Sequence, residues 1–89
     1  MRQIKLSGRE AAVVKAIDFS TGTSGAEVLE QTRIAREDLI DILNGLMEVG
    51  YVECSPLRDH VDDDCFDKTI FDVNPSYALS LREALMRPY

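Results

Sequence analysis

The chain has 89 residues, 45% hydrophobic and 29% charged, with a net charge of −6 at pH 7. That balance fits one folded domain over residues 1–89 with a modest core, and it excludes a disordered polyelectrolyte. No apolar run approaches the ~20 residues needed to span a bilayer, and MRQIKLSGRE at the start lacks the apolar stretch of a secretory signal, so a cytoplasmic protein with no membrane partner is expected.

A first helix is announced by Ser7-Gly8-Arg9-Glu10, in which a Ser and a Glu three residues later can each hold the other's backbone N–H. Leu6 stands where a hydrophobic staple belongs, and the run Ala11 to Ile17 carries the helix to about Phe19. Ser20-Thr21-Gly22-Thr23 reads as a turn. A second capping box, Ser24-Gly25-Ala26-Glu27, opens a short helix to about Gln31, with Ala26, Val28 and Leu29 available to the core. Thr32-Arg33-Ile34 is a tight connection.

The third helix is predicted from Arg36 to Val49. At 100° per residue, Ala35, Leu39, Ile42, Leu43, Leu46 and Val49 share one side, and Ile40 and Met47 widen the apolar arc. The outward stripe reads Glu37, Asp41, Asn44, Glu48. Gly50 is placed as the stop. A short strand, Tyr51 to Cys54, leads through an Asp-rich loop, Ser55 to Cys65, into a second strand, Phe66 to Val73, with Phe71 and Val73 on one face and Ile70 and Asp72 on the other. Asn74-Pro75 forms an N-cap and first position for a last helix to about Arg87. Its apolar positions are Tyr77, Ala78, Leu81, Leu85 and Met86, with Leu79 off that stripe.

Three short helices cannot each bury an apolar face alone, so they must pack together, with the hairpin closing one side of an α+β domain. The order, with GAEVLEQTRIAREDLIDILNGLMEVGYVEC at its centre, resembles the winged helix-turn-helix family, particularly its small transcriptional regulators. The marks are the capped short helix, the turn around Ile34, the long helix ending in Leu46-Met47-Glu48-Val49-Gly50, and the strand Tyr51-Val52-Glu53. The resemblance implies a single winged-helix domain: a three-helix core, a β-hairpin wing and a C-terminal helix. It also implies duplex DNA in contact with the third helix and the wing. By position, the groove would meet Arg36, Glu37, Asp41 and Asn44, and the wing would offer Arg58, His60 and Lys68. The cations of a DNA reader would be Arg33, Arg36, Arg58 and Lys68, with Asn44 beside them and Arg2, Lys5, Arg9 and Lys15 in reserve.

The charge distribution speaks against that use. Positions 20–74 hold 4 basic and 13 acidic groups, whereas the two ends together hold 6 basic and 3 acidic ones. Duplex affinity rests mainly on cations that neutralise phosphates. Acids in the first turn, Glu37 and Asp38, have an ordinary role in stabilising the helix dipole. Asp41 and Glu48 do not, and the loop adds Asp59, Asp62, Asp63, Asp64 and Asp67. The favoured reading is therefore a protein-interaction module. Its acidic face, formed by Glu37, Asp41, Asn44, Glu48, Asp62, Asp63 and Asp64, meets a basic protein partner in a transcription or nucleic-acid-associated assembly. DNA binding is the second reading.

Cys54, His60 and Cys65 bracket the loop and could contribute to a zinc site, but their spacing fits no strong zinc pattern. They read more simply as two free thiols, or a pair that can oxidise across the hairpin, and a solvated His. Asp62-Asp63-Asp64 lacks the glycine and terminal Glu of a calcium loop. No phosphate loop or nucleophile elbow is present. The expectation is a non-enzyme without a cofactor. The last helix carries a second apolar edge, and the resemblance implies that it pairs with a copy of itself.

Overall fold

The computed structural model describes residues 6–17, 22–56 and 60–86. Its elements are α1 (Gly8–Ile17), β1 (Thr23–Ser24), α2 (Gly25–Thr32), α3 (Arg36–Glu48), β2 (Val52–Ser55), β3 (Ile70–Val73) and α4 (Ala78–Met86). Single 3-10 turns at Phe66–Lys68 and Pro75–Tyr77 precede β3 and α4. The result is a compact α+β globule whose three strands form one antiparallel sheet in the order β1-β3-β2. Its Cα radius of gyration, 12.0 Å, is that of a close-packed chain of this length.

The helix starts follow the capping chemistry. Glu10 N–H donates to the Ser7 hydroxyl at 3.1 Å and Ser7 N–H donates to the Glu10 carboxylate at 2.8 Å, a complete reciprocal box. Leu6 beside it is buried. Ser24 caps α2 by accepting from Glu27 N–H. α3 has no side-chain cap at Ala35, so its first turn relies on Glu37 and Asp38 to complement the exposed N–H groups. Its other end closes on Gly50, at φ 90°. There Gly50 N–H reaches Met47 O and Tyr51 N–H reaches Leu46 O, a double closure that satisfies the last carbonyls of the helix.

Core residues come from every layer: Val13, Val14 and Ile17 from α1, Val28 from α2, Leu39, Leu43 and Leu46 from α3, Val52 and Cys54 from β2, Phe71 and Val73 from β3, and Leu81 from α4. Several details differ from the sequence expectation: Ala35, expected on the apolar side of α3, is exposed, and β2 begins at Val52 rather than Tyr51. Thr23 is a buried strand residue paired with Phe71, not part of a turn, and its hydroxyl donates to Ile17 O at 2.7 Å, satisfying the end of α1. The last strand begins at Ile70, because Phe66 lies in the 3-10 turn with its ring fully buried. Ala26 is exposed, and Gly25 occupies the buried site beside it. Val49, expected on the apolar side of α3, is 56% exposed, since the helix has already ended there. The expected extension of α1 to Phe19 and of α4 to Arg87 lies outside the described residues.

Polar and aromatic contacts position the remaining pieces. Asn74 caps the C-terminal segment by accepting from Ser76 N–H, and its amide donates to Gly50 O at 2.7 Å. Tyr51 and Tyr77 meet edge to face with ring centroids 5.1 Å apart, joining the same two regions. The β2–β3 connection is tied to α3 by Asn44 and Arg36.

Candidate interaction face around α3

Asn44 was expected on the outward stripe. It is half-buried instead, and its amide bonds in both directions to one residue of the connection. Its Nδ2 donates to Val61 O and its Oδ1 accepts from Val61 N–H, both at 2.8 Å. Val61 itself is fully buried. A single apolar residue in an Asp-rich loop is thus fixed in the core, and α3 supplies the polar groups that its backbone needs. Asn44 is a structural anchor rather than part of an outward-facing set.

Arg36 is the second anchor. Its Nε donates to the Asp63 carboxylate, its Nη1 to Asp67 Oδ1 at 2.7 Å, and its Nη2 to the backbone oxygen of Asp63 at 3.0 Å. The guanidinium also lies 5.1 Å from the centroid of the Phe66 ring, within cation–π range. Hydrogen bonds to Asp67 first, and then to Asp63, raise its pKa still further above the ordinary value. Exposed ion pairs taken singly contribute little. Here the planar fork of one Arg meets two carboxylates, a carbonyl and a ring together, a geometry that a Lys could not reproduce.

Asp62 serves the connection rather than the surface. Its carboxylate accepts from Asp64 N–H and Cys65 N–H, both at 3.1 Å. The Cys65 thiol and the Cys65 backbone N–H hold its carboxyl below the usual range. Asp38 pairs with Arg9 of α1 at 3.4 Å.

Among the described residues, the exposed acids of α3 and the connection whose carboxylates take no part in the ion pairs and hydrogen bonds above are Glu37, Asp41, Glu48 and Asp64. Glu37 and Asp41 stand one turn apart and, with Arg36, Ile40 and Asp63, line an open groove of about 630 Å³. Glu48 lies two turns beyond Asp41 and outside that lining. The lining therefore combines apolar Ile40 with the acids Glu37, Asp41 and Asp63, and the cation in it, Arg36, is already bonded to Asp63 and Asp67. A smaller open groove, about 300 Å³, lies where α1 and α2 meet and is lined by Ala12, Lys15, Ala16, Gln31 and Thr32.

Of the cations assigned to the DNA reading, Arg36 is engaged as described. Arg33 is exposed and ends α2 in the left-handed conformation, φ 57°. Lys68 is exposed on the 3-10 turn, and Arg58 lies outside the described residues. Neither Cys54 nor Cys65 is in a disulfide; the first is buried and the second half-buried, and His60 is exposed. Among the described residues no three His, Cys, Asp or Glu side chains come together as a group that could hold a metal ion. Also among them, no helix is long and apolar enough to cross a membrane.

Sequence reasoning missed the Arg36 clasp and the role of Ile40. A usable signal existed for the first: Asp63 and Asp67 stand four residues apart, a spacing that brings both to one side of a tightly turning segment. Comparison of the chain with family models, with curated proteins and with solved structures gives no match.

Proposed function

We propose that this is a winged-helix protein-interaction module whose α3 face binds a basic segment of a partner protein, in a transcription or nucleic-acid-associated assembly. The element order α1-β1-α2-α3-β2-β3, with β3 in the middle of the sheet, supports the winged-helix reading. In that reading the β2–β3 connection is the wing and α3 is the helix a DNA-binding relative would use for contact.

The observation that carries the interaction reading is the state of Arg36. This is the one basic side chain on α3, and both of its polar edges are turned to the connection's own acids. Asn44, the other side chain on α3 suited to reading a base, is held by Val61. What α3 presents outward is Glu37, Asp41 and Glu48. Like charges one turn apart at Glu37 and Asp41 oppose each other by a few tenths of a kcal/mol. A Lys or Arg head placed between them removes that repulsion, and its aliphatic stem covers Ile40.

The direct test is binding of a fluorescent Lys/Arg-rich peptide, followed by anisotropy. The intact domain should bind it with an affinity that falls as salt rises, and Glu37→Lys/Asp41→Lys should lose at least tenfold, as two attractions become repulsions. Unchanged binding by that variant contradicts the assignment of this face.

A further inference from the structure

Gly45 stands in the interior of α3 with no role in the fold. It is exposed, and a Cβ added there would meet nothing within 4 Å. It lies inside a regular helix, so no turn or left-handed backbone demands a glycine. Glycine is among the poorest residues for a helix interior, and no packing within the domain offsets that loss. Four residues on, Val49 is 56% exposed. The bare position also sits beside the row of acids: at 100° per residue Gly45 falls about 40° from Asp41 and about 60° from Glu48. Asp41, Asn44, Gly45 and Glu48 have the spacing i, i+3, i+4, i+7, the four corners of a hole that receives a side chain from a neighbouring helix. Two of these corners leave the hole open, because Gly45 has no side chain and the Asn44 amide is bonded to Val61. The other two are exposed acids.

We propose, resting on the function proposed above, that the basic partner segment is an α-helix laid antiparallel along α3. An apolar side chain of that helix seats at Gly45 against Val49, and its cations lie beside Glu37, Asp41 and Glu48. The axial spacing of the acids favours a helix. Glu37 to Asp41 is about 6 Å along the axis, and Asp41 to Glu48 is about 10.5 Å. A partner helix has the same rise, so Lys or Arg at its positions i, i+7 and i+11 matches all three acids. Those positions lie within about 40° of one another on the partner's surface, and its position i+4 then faces the notch at Gly45. An extended segment rises about 3.3 Å per residue and turns successive side chains to opposite sides. About two residues span the first gap and about three the second, and the odd step sends one cation away from α3. A basic helix therefore fits this face where a basic extended tail does not.

Two synthetic peptides test this by fluorescence anisotropy with the full chain at about 50–100 mM salt. One is an Ala-rich helix with Lys at i, i+7 and i+11 and Leu at i+4. The other is the same peptide interrupted by two prolines, which keep the charges and break the helix. The parent chain should bind the helical peptide at least about tenfold more tightly than the interrupted one. Gly45→Gln should lose on the order of tenfold for the helical peptide and nothing for the interrupted one, while its melting temperature rises by about 2–5 °C. Binding lost as the fold gains stability separates a contact from a folding defect. Equal affinity for the two peptides overturns the helical partner and leaves the basic segment standing, as does a helical peptide indifferent to Gly45→Gln. A fall in melting temperature in that variant would mean that the fold itself needs Gly45, and overturns the proposal. Binding of neither peptide overturns the function proposed above together with it.

Discussion

Asn44 on α3 and Val61 in the β2–β3 connection are joined by two hydrogen bonds of 2.8 Å, one in each direction. The side-chain amide behaves as a strand neighbour for one residue, so the buried backbone of Val61 has its donor and acceptor satisfied without a sheet. Asn44→Ala removes both partners at once. The expected loss of stability is about 2–4 kcal/mol, from two half-buried backbone groups left without hydrogen bonds. Urea unfolding measures it, and a loss under about 0.5 kcal/mol would mean that water replaces the amide.

The Arg36 clasp makes a separate prediction. Asp63→Asn/Asp67→Asn removes the two charges that occupy the guanidinium and leaves the fold's apolar contacts untouched. Duplex affinity at low salt should then rise relative to the parent chain, since Arg36 becomes available to a phosphate. Amide exchange should quicken around residues 61–68, on the order of tenfold, as the connection loses a tether. Unchanged exchange there would show that Asn44 alone holds the connection.

Gly25 starts α2 against the 3-10 turn. Its N–H donates to Thr69 O at 2.9 Å, and a Cβ added at this residue would overlap the backbone oxygen of Phe66. Helix propensity favours Ala over Gly by about 1 kcal/mol, but here the obstacle is backbone, which cannot rotate away. Gly25→Ala should therefore destabilise, by about 1–3 kcal/mol in thermal or urea unfolding. A gain in stability would contradict the packing of α2 on this turn.

Asp62 gives a pH signature. Its carboxyl is held below the ordinary value of 3.8 by the Cys65 thiol and then by the Cys65 backbone N–H. A carboxylate with a depressed folded-state pKa stabilises fully above the unfolded value and loses that contribution as pH falls through the folded value. The stability difference between the parent and Asp62→Ala should thus be constant above about pH 5 and shrink below pH 4. A difference that grows on acidification would contradict the assignment.

Local chemistry made much of the fold legible. The capping box at Ser7, the Ser24 cap, the middle of the apolar face of α3 and the Gly50 stop all depend on residues within a few positions of one another, and these take their expected form. Thr23 escaped because a two-residue strand has no period, and its identity comes from Phe71 and Ile70, far along the chain. Val61 escaped because one apolar residue among aspartates carries no pattern. Asn44 was misplaced for the complementary reason: a helical wheel gives direction but not what stands opposite. The acidic character of the α3 face was legible from charge alone. That Arg36 would be absorbed by Asp63 and Asp67, 27 and 31 residues away, was not.

On the proposed function, α3 meets a basic partner rather than a duplex. A salt titration of the parent chain against a random-sequence duplex, run beside a Lys/Arg-rich peptide by fluorescence anisotropy, tests it most directly. The expected result is no duplex binding at about 50–100 mM salt up to about 100 μM protein, and salt-sensitive peptide binding in the same range. Micromolar duplex binding with a clear salt slope would contradict it.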